Sequence, residues 1–490
     1  MLSLHSRRLT TRFTGRPPAC LGGVVMRVAR TLPGLLLLAS SAAAQSHASA
    51  DSASHALTRR GVDYARSAAE ATGDSVLDGL IHAALERNST LRAASHRGAA
   101  ARARIAPAGT RPDPNLMAGI ITIPVAKPSL TDDNFTMLMV GLEQSFPYPG
   151  KQALRSKVAT LDASAVDAMT ATARLATVRR VKEAWYEIAY LDHALEIAER
   201  TRAVLADVVR VTESHYGTGT GLQQDVLKAR VEAARLAETA STLSEARVTA
   251  VAQLNAVLER ASDTPIQRAS IPSRLAHAAV AADASDIRFA AQTLGARASG
   301  SPLPPVSTLQ SMALVHSPAL QEHEARIAAQ AARVELARKD AKPDFDVTVQ
   351  YNHRVAYPDL LTAQVSIPLR LQKSAKQDEA IVEQSAELAA LEAEHRAAVH
   401  ALDARVASLA SDIERSRTQL ALYVKAILPQ GHAAVTSALT TYRSGRADLL
   451  TLLDLQGSVF SSETAYFRAL ADFAKAVAEL EETVGGEVIS

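Results

Sequence analysis

Apolar positions along the chain follow two spacings, one typical of helices and the other typical of strands. Near Asp74 apolar residues begin to recur at helical spacing, and this pattern ends ahead of Pro107. Two segments of strand length follow, and proline is then absent from Gly150 to Thr264. The predicted elements are a helix from Asp74 to about Ile105, strands at about 114–125 and 134–146, and long helices at about 150–213 and 221–260.

The second half of the chain repeats the order of the first. "ALVHSPAL" corresponds to "ALERNSTL", "AKPDFDV" to "TRPDPNL", "VSIPLRLQKSA" to "EQSFPYPGKQA", and "YRSG" to "YGTG". Repetition on this scale indicates a duplicated architecture. It predicts a first repeat over 74–265, an inter-repeat linker over 266–306 and a second repeat over 307–485, with strands at about 344–353 and 360–370 and long helices at about 372–442 and 447–484.

The predicted strands alternate between apolar and polar residues. In "DFDVTVQYN" the residues from Phe345 to Tyr351 at every second position are apolar or aromatic, and those between them are polar. This alternation fits membrane strands that face lipid on one side and water on the other, and it fits equally a hairpin on a globular core. An open sheet edge is not tolerated in lipid, so four strands per chain would have to be shared, and three chains would supply twelve.

The long helices favour the membrane interpretation. Each has about 60 residues, or roughly 90 Å at 1.5 Å per residue. Apolar residues from Val399 to Ile427 recur at a spacing of three and four, which is typical of a packed helical seam. A globular domain cannot bury helices of this length, whereas a bundle or a tube can.

The N-terminal sequence indicates export. Residues 1–44 end in a basic segment, an apolar run and Ala42-Ala43-Ala44, which predicts a signal peptide with its start possible at Met26. A poorly ordered periplasmic lead-in is expected over 45–73. The one cysteine, Cys20, would leave with the signal peptide, so no lipidated N-terminal cysteine is expected. A net charge of +2 argues against nucleic acid as a partner.

These features resemble the TolC-like outer-membrane efflux channel family across nearly the whole mature chain. The resemblance rests on "ALERNSTL", "EQSFPYPGKQALRSKVA", "YGTGTGLQQDVLKARVE" and "YRSGRADLLTLLDLQ". "FPYPGK" is most similar to the heavy-metal branch of the CzcC or CusC kind. The resemblance implies a mainly helical homotrimer with membrane β-strands, in which a twelve-stranded β-barrel in outer-membrane lipid continues into a twelve-helix periplasmic α-barrel. It also implies a periplasmic adaptor (a membrane fusion protein) and an inner-membrane pump of the resistance-nodulation-division (RND) type as partners.

The resemblance further implies that the tips of the helical hairpins form the periplasmic aperture. Asp454 occupies the position of one family aspartate, whereas Thr451 occupies the position of the other. Acidic rings of this kind select cations, although an acid near a helix start is also favoured by the helix dipole alone. The residues expected at the aperture and tips are Asp454, Asp225, Tyr442, Arg446, Asp448, Gly219 and Gly445. The glycines are expected to turn the chain, and the others either tie helix pairs together or cap helices.

No enzyme, cofactor site or metal site is predicted. The histidines are scattered, and no nucleophile, phosphate-loop or zinc-helix motif is present. Met117, Met137 and Met139 suit soft copper ions, but packing or lipid contact is the simpler role. The predicted function is a passive exit duct for heavy-metal cations. A channel for drug efflux or type I secretion, or a soluble periplasmic coiled-coil scaffold or adaptor, are the alternatives.

Overall fold

The computed structural model describes residues 75–280, 303–444, 446 and 448–489. Several predictions fall outside these residues: the signal peptide at 1–44 with Cys20, the lead-in at 45–73, the part of the linker at 281–302, and Gly445.

Seventeen elements follow one another in the described ranges, and their order is repeated in the two halves. The first half contains α1 (Ser75–Arg87), α2 (Ser89–Ala103), α3 (Ile105–Gly109), β1 (Asn115–Ile121), β2 (Met137–Phe146), α4 (Lys151–Gly217) and α5 (Gln223–Val257). The linker contains α6 (Ser273–Val280). The second half contains α7 (Val306–His316), α8 (Pro318–Asp340), β3 (Phe345–His353), β4 (Leu360–Ser366), a π-helical turn (Ser374–Asp378), α9 (Glu379–Leu422), a second π-helical turn (Tyr423–Ile427), α10 (Leu428–Arg443) and α11 (Leu449–Val484).

The structure corrects two predicted helices. The helix expected from Asp74 to Ile105 is broken at Asn88, whose side-chain oxygen accepts a hydrogen bond from the Leu91 backbone N–H at 3.2 Å and so caps α2. The single long helix expected at 372–442 contains two π-helical turns. The second of them precedes Pro429, which has no N–H to offer the preceding turn.

Two of the predicted strands are too long at their C-terminal ends. β1 ends at Ile121 and not near 125, because Thr122 has a positive φ of 59° and Pro124 offers no ladder donor. β4 ends at Ser366 and not at 370, since Pro368 interrupts the ladder. The strand that pairs with β1, β2, begins at Met137 and not at 134.

The four strands form one antiparallel sheet in the order β1-β2-β3-β4. Rows of apolar side chains cross one face, for example Leu116 opposite Leu142, Leu142 opposite Val349 and Val349 opposite Ala363. The opposite face carries polar rows such as Asn115, Glu143, Thr348 and Gln364. Most of the apolar side chains are exposed in the single chain. Within the described part of the chain, β1 pairs with β2 alone and β4 with β3 alone, so each has a free edge.

The main hydrophobic core surrounds the middle of α4. Its largest buried side chain is Trp185, whose indole N–H donates to the carbonyl of Ser270 at 2.8 Å and fixes the start of the linker against α4. Leu275 and Ala279 of α6 are buried in the same core, so the predicted linker contributes a packed helix. In the described ranges, no helix is both long enough and apolar enough to cross a membrane.

Charged pairs join α4 to α11. The Lys182 Nζ lies 2.8 Å from an Oε of Glu481, and both side chains are buried. Nearby, Glu187 accepts a hydrogen bond from Arg468 at 2.8 Å and pairs with Lys475. Burial alone would raise the pKa of Glu187, but Lys475 and Arg468 together hold that pKa below its ordinary value.

Candidate functional site at the hairpin tips

The first hairpin tip closes through a Schellman motif at the end of α4. The Thr220 N–H donates to the carbonyl of His215 at 2.9 Å, and the Gly219 N–H donates to the carbonyl of Tyr216 at 3.0 Å. Gly219 lies between them with a φ of +75°. This pair of bonds satisfies carbonyls that the helix leaves unpaired, and the left-handed residue that it needs is favourable only for glycine.

Gly221 is a second required glycine, which the sequence analysis missed. A Cβ at this position would lie 2.9 Å from the Cβ of His215 and 3.1 Å from the Tyr216 nitrogen. The chain therefore folds back so closely on α4 that no other residue fits without displacement. A Gly two residues after the turn glycine was the available signal in "YGTGTG".

The second tip closes α10 with the equivalent bond. The Arg446 N–H donates to the carbonyl of Thr441 at 3.0 Å, which matches the Thr220 to His215 bond of the first tip. The Arg446 side chain is exposed and its Nε donates to Ser444 at 3.2 Å, within its own turn. Asp448 occupies the N-cap position of α11, but its side chain makes no capping hydrogen bond. Among the residues described at this tip, the backbone hydrogen bond from Arg446 to Thr441 is therefore the main contact that closes the turn.

Tyr442 joins the two hairpins of the chain. Its hydroxyl lies 2.8 Å from the Thr212 hydroxyl of α4, and its side chain is only 6% exposed. Thr212 also donates to the carbonyl of Val208 at 2.7 Å, which leaves its oxygen able to accept from the Tyr442 hydroxyl. Tyr442 belongs to a buried group, here called the tip cluster, which consists of Ala198, Leu205, Val208, Ala229, Leu236, Tyr442, Leu449, Leu452 and Leu453.

The tip cluster brings acidic residues near this tyrosine. Burial raises the pKa of Tyr442, and the negative charges of Asp225 and Asp448 raise it further, although the hydrogen bond with Thr212 acts in the opposite direction. The His215 ring packs against the Tyr442 ring at 5.7 Å between centroids. Asp225 and Asp448 therefore lie near enough to Tyr442 for their charges to act on it.

The remaining predicted acid, Asp454, is not among the charges that act on Tyr442. Asp454 is exposed on α11, six residues beyond Asp448, and Thr451 is exposed beside it. The two tips also differ in their tyrosines, because Tyr216 is 50% exposed whereas Tyr442 is buried. The duplicated tip motif therefore produces two chemically different tips.

A buried lysine organises the joint between the sheet and α4. The Lys151 side chain is 1% exposed, and its Nζ lies 2.8 Å from both the Asp344 Oδ1 and the Lys342 carbonyl. It also lies 3.3 Å from Asp340. The Tyr148 N–H donates to the same Asp344 oxygen at 2.7 Å. The "FPYPGK" segment thus fastens the first repeat to the start of β3 in the second repeat.

Within the ranges that the structure covers, no group of three or more His, Cys, Asp or Glu residues is placed to hold a metal ion. Met117 and Met139 lie on the polar face of the sheet, opposite Gly141 and Asn352 respectively.

Known proteins resemble the chain in sequence and in fold. Similar solved structures include the outer-membrane channel OprN (18% identity, TM-score 0.68, 84% of this chain and 90% of that one). VceC from Vibrio cholerae is similar as well (19% identity, TM-score 0.69, 85% and 97%), as is CusC (16% identity, TM-score 0.64, 84% and 92%). These likenesses confirm the predicted fold class. Comparison with curated proteins finds no match.

A family model then supplies the assignment that fold alone does not. The model described as outer membrane efflux protein matches residues 80–259 and 309–486, so both repeats are covered. The resemblance seen in the sequence is thereby confirmed, and the chain belongs to the outer membrane efflux protein family.

Proposed function

We propose that this outer-membrane efflux channel works as a homotrimer and forms the exit duct of a tripartite efflux system for heavy-metal cations. Its partners would be a periplasmic adaptor and an inner-membrane pump of the RND type. Members of the family are passive channels, so the chain is not an enzyme. The pump would supply the energy and the channel the path.

One observation carries the trimer: an amphipathic sheet that has two free edges. Leu116, Val140 and Leu361 are half exposed or more on the apolar face, which suits lipid. Unpaired edges cannot remain in lipid, because each open N–H and C=O costs several kcal/mol there. Pairing β4 of one chain with β1 of the next satisfies both edges, and three chains close twelve strands around the polar face.

The helical tips support a closed periplasmic mouth. Tyr442 ties the second hairpin to Thr212 of the first through a buried hydrogen bond. We propose that this bond holds the tips together at rest and that docking of the adaptor releases it. Asp454, exposed near the tip, would then contribute negative charge to the aperture. Asp225 and Asp448 would act on Tyr442, whose pKa their charges raise. Gly219 and Gly445 would serve the turns.

The cation substrate rests on the "FPYPGK" segment, which resembles the heavy-metal branch. In the structure this segment forms the joint between β2 and α4. It supports the branch through resemblance alone, and ion selection would be left to the pump and to the charge of the mouth.

Deletion of the gene in its own host tests the substrate class. The mutant should become sensitive to copper, zinc, cobalt or cadmium salts and should accumulate the metal, and the wild-type gene should restore both. Sensitivity to dyes and antibiotics alone would instead support drug efflux, and loss of a secreted protein would support type I secretion. A soluble monomeric pool in the periplasm would overturn the channel and favour a scaffold or adaptor.

Asp454 has its own test in planar lipid bilayers. Asp454→Ala should weaken the block of single-channel current by divalent cations added on the periplasmic side, because it removes one carboxylate per chain from the mouth. Asp472→Ala, which removes the same charge further along α11, is the control. An unchanged block would make Asp454 a solvated helix residue.

A further inference from the structure

The two joints between strand and helix are equivalent in sequence but differ in exposure. In the first repeat the joint runs from Pro147 to Lys151, and in the second from Pro368 to Lys373. Lys151 is buried against the second repeat, whereas the side chain of Lys373 is 60% exposed and its Nζ lies 3.7 Å from Asp378. Leu369, the equivalent of Tyr148, is 81% exposed. The second joint therefore has the features of the first without the surface that covers it.

The second joint is one residue longer than the first. Four positions separate Pro147 from Lys151, and five separate Pro368 from Lys373. A π-helical turn, Ser374–Asp378, follows directly. Such a turn holds more residues than an α-helical turn, so it accommodates the extra residue ahead of α9.

A segment equivalent to the one that covers the first joint lies at the start of the first repeat. "AKPDFDV" covers the first joint, and its equivalent "TRPDPNL" places Asp113 where Asp344 stands. Asp113 is exposed just ahead of β1, which has a free edge. β4, which leads into the second joint, has the other free edge. One chain therefore carries both halves of an interface at its opposite edges.

We propose that neighbouring chains associate by repeating the contact between the two halves of one chain, so that Lys373 of one chain binds Asp113 of the next. The inference rests on the proposed homotrimer and adds to it a register and an ion pair. Transferring the observed β2–β3 register through the two correspondences puts three pairs of apolar residues opposite each other: Leu361 and Ile120, Ala363 and Ala118, and Val365 and Leu116.

The transferred register also keeps the apolar face and the polar face of the sheet continuous from one chain to the next. Shifting a strand by one residue moves all its side chains to the other face. In the proposed register, the apolar residues of β4 meet the apolar residues of β1, and Gln364 meets Met117 on the polar face. A slip of one residue would pair Ser366, which lies on the polar face, with Leu116, which lies on the apolar face. Regular strand pairing does not allow this, because directly paired residues point to the same face of a sheet. The face pattern of the four strands thus agrees with the repeat correspondence.

The contact between chains should be weaker than the contact within a chain. Lys151 has two carboxylates nearby, from Asp344 and Asp340, but Gly109 stands at the position equivalent to Asp340. A side chain at Gly109 would crowd α4, since its Cβ would lie 3.1 Å from the Cβ of Ser156, which would have to shift. Lys373 would therefore have one carboxylate, and Leu369 would lack the cation–π contact that the Tyr148 ring makes with Lys339.

Cysteine cross-linking of the full chain in outer membranes tests the register. With Cys20 replaced by Ser, the double variant Met117→Cys/Gln364→Cys places thiols directly opposite across the proposed interface, where Cβ atoms lie about 4.5–5.5 Å apart. The matched control Met117→Cys/Thr362→Cys uses the same face but is displaced by two residues, about 7–8 Å away. Mild oxidation should give boiled-stable dimers and trimers with the first variant, removable by reductant, and far less with the second.

Each outcome separates the register from the trimer. Equal cross-linking in both variants, or stronger cross-linking in the control, would overturn the register while heat-dissociable trimers still stood. A disulfide that shifts only the monomer band would mean that the sheet closes within one chain, which overturns the register and the trimer alike. Monomers only, in every variant and in the wild type, would overturn the proposed function.

Charge reversal tests the ion pair independently of disulfide formation. Lys373→Glu should lower the temperature at which unboiled trimers dissociate on gels, and adding Asp113→Lys should restore it. Lys376→Glu, which makes the same change one turn away, is the control. Restoration that fails, or an equal effect of Lys376→Glu, would rule out the pair even if the cross-links form.

Discussion

Removing the hydroxyl of Tyr442 isolates the bond between the two hairpins. Tyr442→Phe leaves the ring in the tip cluster, so apolar packing is kept. Thr212 retains its hydrogen bond to the carbonyl of Val208 at 2.7 Å, so no buried donor is left unpaired. The change therefore costs the net value of one hydrogen bond, about 1 kcal/mol per chain, with little added penalty.

This small energy becomes large if the three chains of the proposed trimer open together. Three bonds then separate the closed from the open mouth, or about 3 kcal/mol, which corresponds to roughly a 100-fold change in their ratio. Tyr442→Phe should therefore raise the open probability of single channels in planar bilayers by up to that factor. Tyr216→Phe, at the equivalent and half-exposed position of the first tip, should leave it unchanged.

Comparing the two tyrosine variants tests whether the Tyr442 hydroxyl holds the mouth closed. If Tyr442→Phe conducts like the wild type while remaining a folded trimer, the hydrogen bond with Thr212 does not hold the mouth closed. If Tyr216→Phe opens the channel to the same extent, the effect belongs to aromatic hydroxyls at the tips in general and not to the buried bond.

Three further predictions concern stability. Gly221→Ala should loosen the first tip and increase its proteolysis, because its Cβ has no room, whereas Gly217→Ala meets nothing within 4 Å and should be tolerated. Lys182→Met should lower the free energy of unfolding by about 3–5 kcal/mol, since it leaves a buried carboxylate unpaired, and thermal denaturation should show recovery when Glu481→Met is added. Glu187→Gln should remove a part of the free energy of unfolding that depends on pH. Because the pKa of Glu187 is lower in the folded protein than its unfolded value of about 4.3, the ionised carboxylate stabilises the fold above about pH 4.3. This contribution is lost as the pH falls through the folded pKa. Melting temperatures of the wild type and Glu187→Gln should therefore converge on acidification, and a constant gap would contradict this assignment.

Periodicity and punctuation in the sequence carry most of the architecture. The strand pairs, the long helices and the tip glycine Gly219 follow from residue spacing, proline positions and turn chemistry, which act over a few residues. The break at Asn88 was also visible in principle, because Asn is a good N-cap. The first π-helical turn was less accessible, since it depends on one extra residue that only the comparison of the two joints exposes.

Contacts between the two halves could not be predicted in the same way. Tyr442 and Thr212 lie far apart along the chain, and nothing in the periodicity of α4 marks Thr212 as a partner. Lys151 reads as an ordinary charged residue at a helix start, yet the structure buries it against Asp344. Such pairs depend on how the repeats pack, and that information is carried by many residues together.

The buried Tyr442 and the exposed Tyr216 set the symmetry of opening. Six nearly identical tips would be expected to move as an iris with sixfold symmetry, but among the described residues only the second tip of each chain is anchored to the other hairpin through a tyrosine. In the proposed trimer the mouth would then loosen in units of two helical hairpins, with three release events. Partial engagement by adaptors would appear in single-channel records as discrete conductance sublevels, at most three above the closed state.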